Sequence, residues 1–260
     1  EMLSDEHLIA SIPTEEKLNI QYKIDDGEWQ DYSEQLYIVE DCTIYARLTD
    51  GTTVYKETEQ EILMPVACTK IGDAETYHTT VQNAINIAGT NEATVILLKD
   101  NIIDTLTIAE GQNITLDLNN HTLKSTNGSI VASYGDFTVT GEGTLAGEVC
   151  LDYSTVPETG VPMVVLSTAG AAIKNLGDGT VKILSGTVKT FGKYVIAGQG
   201  TIIIGNEDDE VGAGPDVNGI IEVSADVYVH SGQITSKETG ISSDKNITIT
   251  GGTITGGEYG

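Results

Sequence analysis

The residues best suited to hydrolytic chemistry in this sequence are carboxylates placed inside short apolar strands. A glycoside hydrolase needs two carboxyl groups roughly 5–10 Å apart, and Asp117 lies between two leucines in the segment "LDL". Because side chains alternate along a strand, we expect both leucines to point inward and Asp117 outward. One repeat later the equivalent position is Thr138, with Asp136 two residues before it. The sequence therefore shows no catalytic pair, and the "GDG" at 177–179 is typical of a turn.

Lysine and arginine are the residues that a lyase acting on uronates would need, as a base and as counter-charges for the substrate. The only arginine is Arg47, in the first 60 residues, so an arginine-centred site is excluded from the second half. The candidate lysines there are Lys124, Lys174, Lys182, Lys189 and Lys193. Lys182 and Lys189 flank inward-facing apolar positions and are expected to point to solvent, where a charge is ordinarily just solvated. We predict no catalytic residue from these patterns.

The segment "GNEDDEVGAGPDVNG" (205–219) concentrates the acids Asp208, Asp209, Glu210 and Asp216. Oxygen ligands in a flexible, glycine-containing loop suit calcium. The spacing matches neither an EF-hand loop nor the glycine-rich calcium repeats. A solvated acidic loop is therefore the preferred interpretation, with calcium as the alternative, and we expect no metal and no other cofactor.

Histidine and cysteine are too scattered to predict a zinc site or a disulfide framework. None of the histidines lies near a cysteine or another histidine in sequence, as zinc ligands usually do; they include His78, His121 and His230. The three cysteines are Cys42, Cys68 and Cys150. An odd and sparse set does not make a disulfide scaffold, although a bridge between Cys42 and Cys68 stays an alternative.

Aromatic residues are concentrated before residue 60, where Trp29, Tyr32 and Tyr37 lie close together in sequence. Aromatic faces can stack on sugars, so this trio is a candidate sugar-binding platform. A lone tryptophan in a small β-domain is more often part of the core, because large aromatic side chains supply much of its buried area.

The elements that would position these residues are set by a repeat in the second half. The segments "VKILSGTV" (181–188), "VYVHSGQI" (227–234) and "ITITGGTI" (247–254) share their apolar positions and a glycine. "NITLDLNNHTL" (113–123) follows the same pattern, with His121 in the glycine position. Strand starts recur near 95, 116, 137, 161, 181, 202, 227 and 247. A period near 20 residues with internal alternation predicts a β-solenoid of eight coils.

The corners and the first edge of this solenoid also have sequence signals. Asparagine and glycine tolerate left-handed backbone, so "NNH", "SG" and "TGG" are predicted to be corners. In "TTVQNAINIAG" (79–89), apolar residues recur at helical spacing and Gly89 is a stop signal. We predict a short helix there that caps the open edge of the first coil.

The first half has a different composition, with five of the 11 tyrosines before residue 60, the only tryptophan and several short strands such as "LNIQYKI" (18–24). The turn signal "DDG" follows that strand. A composition change at "MPVACTK" (64–70) marks a boundary. We predict an all-β protein, with a small β-sandwich over residues 1–66 and the solenoid over 67–260.

The net charge of the chain restricts the classes of molecule that it can bind. The chain has 260 residues with 39 acidic and 13 basic side chains, a formal net charge of −26, which opposes binding to nucleic acid and to anionic membranes. No apolar run approaches the roughly 18 residues of a membrane helix, and we expect a monomer without membrane insertion. "EMLSDEHLIA" begins without a secretory signal and the repeat runs uncapped to Gly260. We therefore expect a longer native chain.

Two stretches resemble known families. "YKIDDGEWQDYSE" (22–34) resembles Ig-like modules of bacterial surface proteins. The run from "TVQNAINIA" (80–88) to "LTIAEGQNITLDLNNHTL" (106–123) resembles the start of right-handed parallel β-helix domains of the pectate-lyase-like superfamily, and is most similar to those in large surface proteins of Gram-positive bacteria. This resemblance implies the fold more specifically than the function, because the superfamily includes polysaccharide lyases, glycoside hydrolases, tailspikes and adhesins.

These observations predict a non-catalytic segment of a secreted or wall-attached bacterial surface protein, located outside the cell. Its expected role is adhesion, through binding of host or dietary polysaccharide or of a host surface protein. A carbohydrate-active enzyme of the same superfamily is one alternative, and a structural spacer is the other. A close outward pair of acids would favour the enzyme, a polar flank with variable loops the adhesin, and a smooth surface the spacer.

Overall fold

The computed structural model describes residues 18–125, 128–147, 171–210 and 213–257, together with the backbone of four strands outside these ranges. The chain divides into two compact units, Glu1–Pro65 and Val66–Gly260. Within the described part of the chain, none of the helical structure has the length and apolarity that crossing a bilayer requires.

The first unit consists of two antiparallel sheets. Its strands are β1 (Met2–Ser4), β2 (His7–Ala10), β3 (Asn19–Ile24), β4 (Gln30–Asp31), β5 (Leu36–Ile38), β6 (Cys42–Thr49) and β7 (Val54–Ile62). The strand orders are β1-β2-β5 and β4-β3-β6-β7. Leu36 and Ile38 of one sheet and Cys42 and Ile44 of the other form a single buried cluster. Apolar side chains from both sheets thus share one small core.

The second unit is a parallel β-solenoid, as the repeat predicted, and its described residues include one helix. It begins with β8 (Ala67–Ile71), β9 (Ala74–His78) and α1 (Val81–Ala88). The next strands are β10 (Glu92–Leu97), β11 (Asn101–Ile103), β12 (Leu106–Ile108), β13 (Asn113–Asp117), β14 (Thr122–Ser125), β15 (Val131–Ser133), β16 (Asp136–Thr140), β17 (Thr144–Gly147), β18 (Cys150–Thr155) and β19 (Pro162–Ser167). The last are β20 (Ile173–Asn175), β21 (Val181–Ile183), β22 (Thr187–Gly198), β23 (Ile202–Ile204), β24 (Asp216–Val223), β25 (Val227–Val229), β26 (Gln233–Thr235), β27 (Ile241–Ser243), β28 (Ile247–Ile249) and β29 (Thr253–Thr255).

Each turn of the solenoid contributes strands to three faces. The first sheet stacks β10, β13, β16, β21, β23, β25 and β28 in parallel register. The second sheet runs from β11 to β29 and the third from β12 to β27, with the long strands β22 and β24 belonging to both. Seven stacked first-sheet strands make six turns.

The prediction of eight coils counted eight first-sheet strands and is wrong by one strand, because the apolar run that begins near residue 161 does not join the first sheet. It forms β19, which pairs antiparallel with β18 in a separate two-stranded hairpin. Val139 therefore pairs directly with Ile183 of the next turn. Apolar alternation predicts a strand but does not tell parallel from antiparallel pairing, since both present side chains with period two.

The core consists of inward-facing residues stacked in register. One ladder of the first sheet joins Ile114, Phe137, Val181, Ile202 and Val227, all completely buried. Each of these residues packs between its equivalents one turn before and one turn after. Most side chains in the ladders are β-branched or leucine, which suits the pleated, fully buried face of a parallel sheet.

The predicted corners are confirmed with one change of position. Left-handed backbone occurs at Gly186, Gly232 and Gly252, and in the first complete turn at Asn119 (φ 45°) and Asn120 (φ 65°). His121 occupies the register position of Gly186 but does not have a positive φ. Two consecutive left-handed asparagines complete the bend before His121, so this residue needs no glycine-like conformation.

The predicted capping helix is confirmed as α1. The side chain of Thr80 accepts a hydrogen bond from the N–H of Asn83 at 3.2 Å, and Gly89 ends the helix with a φ of 55°. The side chain of Gln82 accepts from the N–H of Thr107 at 2.8 Å and donates to its carbonyl oxygen at 3.1 Å. This amide takes the place of a neighbouring strand at the edge of the third sheet, which is the protection that an open edge requires.

Candidate functional site: a ligand groove on the solenoid

A concave site of the solenoid lies where strands of the third sheet lead into strands of the first sheet. It has a volume of about 520 Å³. The side chains that line it include Glu110, Tyr134, Asp136, Leu176, Asp178 and Gln199. We call this site the corner groove.

Tyr134, Leu176 and Gln199 form a ladder along the corner groove, one residue per turn. They follow Ser133, Asn175 and Gly198, which are paired in register in the third sheet. Their N–H groups continue the ladder by donating to the carbonyl oxygens of Ile108, Ser133 and Asn175 at 2.7–2.8 Å. Tyr134 is 45% and Leu176 38% exposed. An aromatic, an aliphatic and an amide side chain are thus presented to solvent in a row, one inter-strand spacing of about 4.8 Å apart.

Glycines allow neighbouring turns to approach closely under the corner groove. A Cβ on Gly177 would collide with the carbonyl oxygen of Tyr134, and one on Gly179 with the carbonyl oxygen of Gly135. Because these positions carry no side chain, the turns can stack at this corner without a collision.

Two completely buried polar side chains hold this corner from inside. The hydroxyl of Ser133 donates to the carbonyl oxygen of Gly135 at 2.8 Å, and Nδ2 of Asn175 donates to that of Gly179 at 2.9 Å. Oδ1 of Asn175 is buried with no hydrogen-bond partner among the described groups. A buried polar group without a partner is costly, and Oδ1 of Asn175 shares this state with Nε2 of His78 and Oγ of Ser129 among the described residues.

The carboxylates of the corner groove differ in whether they accept a hydrogen bond from the protein. Oδ1 of Asp136 accepts the N–H of Thr180 at 2.8 Å and so joins two turns of the solenoid. Glu110 and Asp178 are exposed. The groove therefore offers carboxylate, amide and phenol groups that can bond hydroxyl or ammonium groups.

Asp117, the carboxylate singled out from the sequence, is a turn residue outside the corner groove. Its Oδ1 accepts the N–H of Asn119 at 2.9 Å at the corner that leads into the second sheet. A carboxylate that bonds the backbone two residues on is a common way to stabilise a turn.

The candidate lysines do not meet at one place. Lys182 and Lys189 are exposed, as expected from their flanking positions. Lys174 lies in the third sheet between Ala132 and Ala197. Nζ of Lys193 is 2.9 Å from a carboxylate oxygen of Glu238, and this hydrogen bond raises the pKa of Lys193.

The acidic loop is organised by hydrogen bonds around Asp209. Its carboxylate accepts the hydroxyl of Ser231 and the N–H of Asn206, and these bonds lower the pKa of Asp209. Asp216 belongs to β24, paired with β22 and β26, so it is outside the loop itself. Over residues 18–125, 128–147, 171–210 and 213–257, no three histidine, cysteine or acidic side chains are grouped so that they could hold a metal ion.

The histidines have separate environments. Nδ1 of His121 lies 3.5 Å from Oδ1 of Asp100, and Nδ1 of His230 lies 2.9 Å from the hydroxyl oxygen of Thr250. Burial lowers the pKa of His78. They share no common site.

Cys42 and Cys68 are both buried thiols. The alternative of a bridge between them is therefore wrong. Cys150 lies in β18, outside the residues whose side chains are described.

The three aromatic residues of the first unit have different neighbours. The guanidinium of Arg47 lies 4.1 Å from the ring centre of Trp29. Tyr32 packs edge-to-face on Tyr22, with ring centres 6.4 Å apart, against the core. Tyr37 is exposed and lines a separate groove of about 350 Å³. Because Arg47 covers a face of Trp29 and Tyr32 packs on the core, this trio does not make one platform.

Sequence reasoning missed the corner groove because its side chains come from four turns of the chain. No sequence signal marks the groove, because Ser133 comes into register with Asn175 only in the fold, which places the exposed Tyr134 beside Leu176 and the glycines of "GDG". Comparison of the chain with protein-family models, curated protein sequences and solved structures found no match. The description of this site therefore depends on its own geometry.

Proposed function

We propose that this chain is a non-catalytic, carbohydrate-binding segment of a secreted or cell-wall-attached bacterial surface protein. The observation that carries the proposal is the corner groove, with Tyr134, Leu176 and Gln199 exposed in a row along it. An aromatic ring offers a flat apolar face to a sugar, and the adjacent amide and carboxylate groups match sugar hydroxyls.

The scaffold supports this role. Six stacked turns, with ladders that are buried from β10 to β25, make a stiff support for a surface site. The two antiparallel sheets of the first unit are compatible with an Ig-like module that spaces or presents the solenoid. Membership of the pectate-lyase-like superfamily, origin in a Gram-positive bacterium and an extracellular location are parts of this proposal.

A carbohydrate-active enzyme is the second candidate, because Glu110 and Asp178 are exposed carboxylates in the same groove. Glycoside hydrolysis requires such a pair, one acting as acid and the other as base or nucleophile. Asp136 suits this chemistry less, since one of its oxygens is bonded to the backbone of Thr180.

The test is incubation of the full chain with a panel of plant, microbial and host polysaccharides. Retention on each immobilised polymer and the release of new reducing or unsaturated ends would be measured together. The informative variant is Tyr134→Ala, and the matched control is Phe191→Ala, which removes a 68% exposed aromatic ring outside the groove.

We expect retention without cleavage on at least one polymer, lost in Tyr134→Ala and kept in Phe191→Ala. Cleavage that is abolished by Glu110→Gln or Asp178→Asn would replace the binding proposal with the enzyme. Absence of both retention and cleavage would reject the proposal and leave a spacer or a protein-directed adhesin.

A further inference from the structure

We infer that the corner groove is selective for glycans with free amino groups and rejects polyuronates. This inference rests on the proposed function and specifies the ligand class of the same groove. It follows from the charges that line the groove, from the position of two lysines outside it and from the exposed ring of Tyr134.

The lining of the corner groove is acidic. Glu110, Asp136 and Asp178 all line it, and all three residues are exposed. Among the described residues that line it, none is lysine, arginine or histidine. A chain of uronates would place its carboxylates beside these acids without a counter-charge, while protonated amino groups would pair with them.

Two lysines on strands that flank this corner lie outside the groove. Lys174 is on the outer face of the third sheet, between Ala132 and Ala197 in register, and Lys182 is on the outer face of the first sheet, between Thr138 and Ile203. Neither lines the groove. The net charge of −26 gives the whole chain a field of the same sign as the local one.

The ring of Tyr134 offers a specific contact to a bound amino sugar, which loosely associated cations would not need. Its ring is 45% exposed at the groove. An ammonium group near a tyrosine face is attracted to the ring, and the apolar face of the sugar can pack on it. A glucosamine unit satisfies both requirements, because it joins an amino group to a sugar ring.

The corner that carries Asp178 is held from within by the completely buried Asn175, which does not itself line the groove. Gly177 and Gly179 line the groove where side chains would collide with neighbouring backbone. Nδ2 of the completely buried Asn175 positions the carbonyl of Gly179, beside Asp178. The carboxylate of Asp178 is therefore carried by a corner whose backbone is held from within.

The experiment is calorimetric titration of the full chain with three tetramers of equal length. They are the tetramers of glucosamine, of N-acetylglucosamine and of galacturonic acid, in a mildly acidic buffer that keeps the glucosamine amines protonated. We expect the glucosamine tetramer to bind most tightly, the N-acetylated tetramer at least about tenfold more weakly, and the galacturonate tetramer not to bind.

A charge-matched pair of double variants separates the groove from general attraction to an acidic protein. Glu110→Gln with Asp178→Asn removes two charges in the groove, and Asp208→Asn with Glu210→Gln removes two exposed charges outside it. We expect the groove variant to weaken glucosamine binding at least about tenfold and the control to stay within about twofold. Equal weakening by both variants would overturn the inference, because the attraction would then be non-specific.

The other outcomes distinguish the inference from the proposed function. Galacturonate or N-acetylated tetramer binding as tightly as glucosamine, with binding lost in Tyr134→Ala, would keep a glycan-binding groove and overturn its selectivity. If none of the tetramers and none of the polysaccharides binds in a Tyr134-dependent way, the proposed function fails and the inference fails with it.

Discussion

At the scale of single residues, three aspartates considered in the sequence analysis accept hydrogen bonds from backbone N–H groups. Asp117, Asp136 and Asp209 each accept the N–H of another residue in a turn or an adjoining strand. A carboxylate is a strong acceptor for an unpaired N–H, so short polar residues collect where a strand ends. Free carboxylates suited to ligands are found instead at Glu110, which no motif marks, and at Asp178, which the sequence marks only as part of a turn.

Asp209 provides a test by pH. Its pKa is lowered in the folded chain, first by the Ser231 hydroxyl. A lowered pKa means that the carboxylate stabilises the fold above its ordinary value of about 3.9, and that this contribution is lost as pH falls through the lowered value. We expect Ser231→Ala to raise the pKa of Asp209 and to shrink this loss, as measured by NMR titration of the carboxyl carbon. Ser242→Ala is the control, and an unchanged Asp209 titration in Ser231→Ala would contradict the assigned bond.

At the scale of elements, two features recur along the solenoid: a ladder of inward-facing residues and a corner with left-handed backbone. The ladder Val139, Ile183, Ile204, Val229 and Ile249 illustrates the first. Its inner members are completely buried, and Ile249 in the last first-sheet strand is 54% exposed. The contribution of each ladder residue to stability should therefore depend on its position along the solenoid, although all five residues are paired in register.

The ladder can be tested with one substitution at two places. Ile183→Ala removes completely buried methyl groups and should lower the free energy of unfolding by about 2–5 kcal/mol. Ile249→Ala should cost less than about 1 kcal/mol, because that side chain is already half exposed. Urea denaturation followed by circular dichroism gives both values. Equal losses would mean that Ile249 is buried in solution.

The corner can be tested at Asn120, which has a φ of 65°. Asn120→Gly should change the free energy of unfolding by less than about 1 kcal/mol, because glycine accepts this backbone without strain. Asn120→Val should destabilise by about 1–2 kcal/mol, because a Cβ crowds the carbonyl in left-handed backbone. Thr115→Val, in the extended strand β13, is the control and should be tolerated. A valine at position 120 that is as stable as glycine would refute the left-handed corner.

At the scale of the whole molecule, the dominant quantity is a net charge of −26. Like charges on one surface repel, which opposes the compact state and is screened by salt. The two units carry this charge on sheets whose outer faces are polar, as in β7, whose exposed residues include Glu57, Glu59 and Glu61.

Thermal unfolding in salt tests this global effect. Raising sodium chloride from about 0.01 M to about 0.5 M should raise the melting temperature by a few degrees, because the Debye length falls well below the size of the molecule. Calcium chloride at matched ionic strength should give the same curve if the acidic loop is only solvated. A lower melting temperature in salt would contradict net repulsion, and an additional rise in calcium would reveal a specific site.

The sequence by itself determined the class of fold, the capping helix and the corners, because these depend on local periodicity and on the backbone preferences of asparagine and glycine. Val227, Val229 and Gly232 repeat at Ile247, Ile249 and Gly252, and the structure pairs or aligns these residues. Only the tertiary structure decided that β19 pairs with β18 in a hairpin and not with the first sheet. The alternation of apolar and polar residues predicts a strand but does not identify its partner. It also decided that Tyr134, Leu176 and Asp178 share one groove. Tyr134 and Asp178 are more than 40 positions apart in the sequence. Their strands become neighbours because one turn of the solenoid spans the 44 residues from Val139 to Ile183.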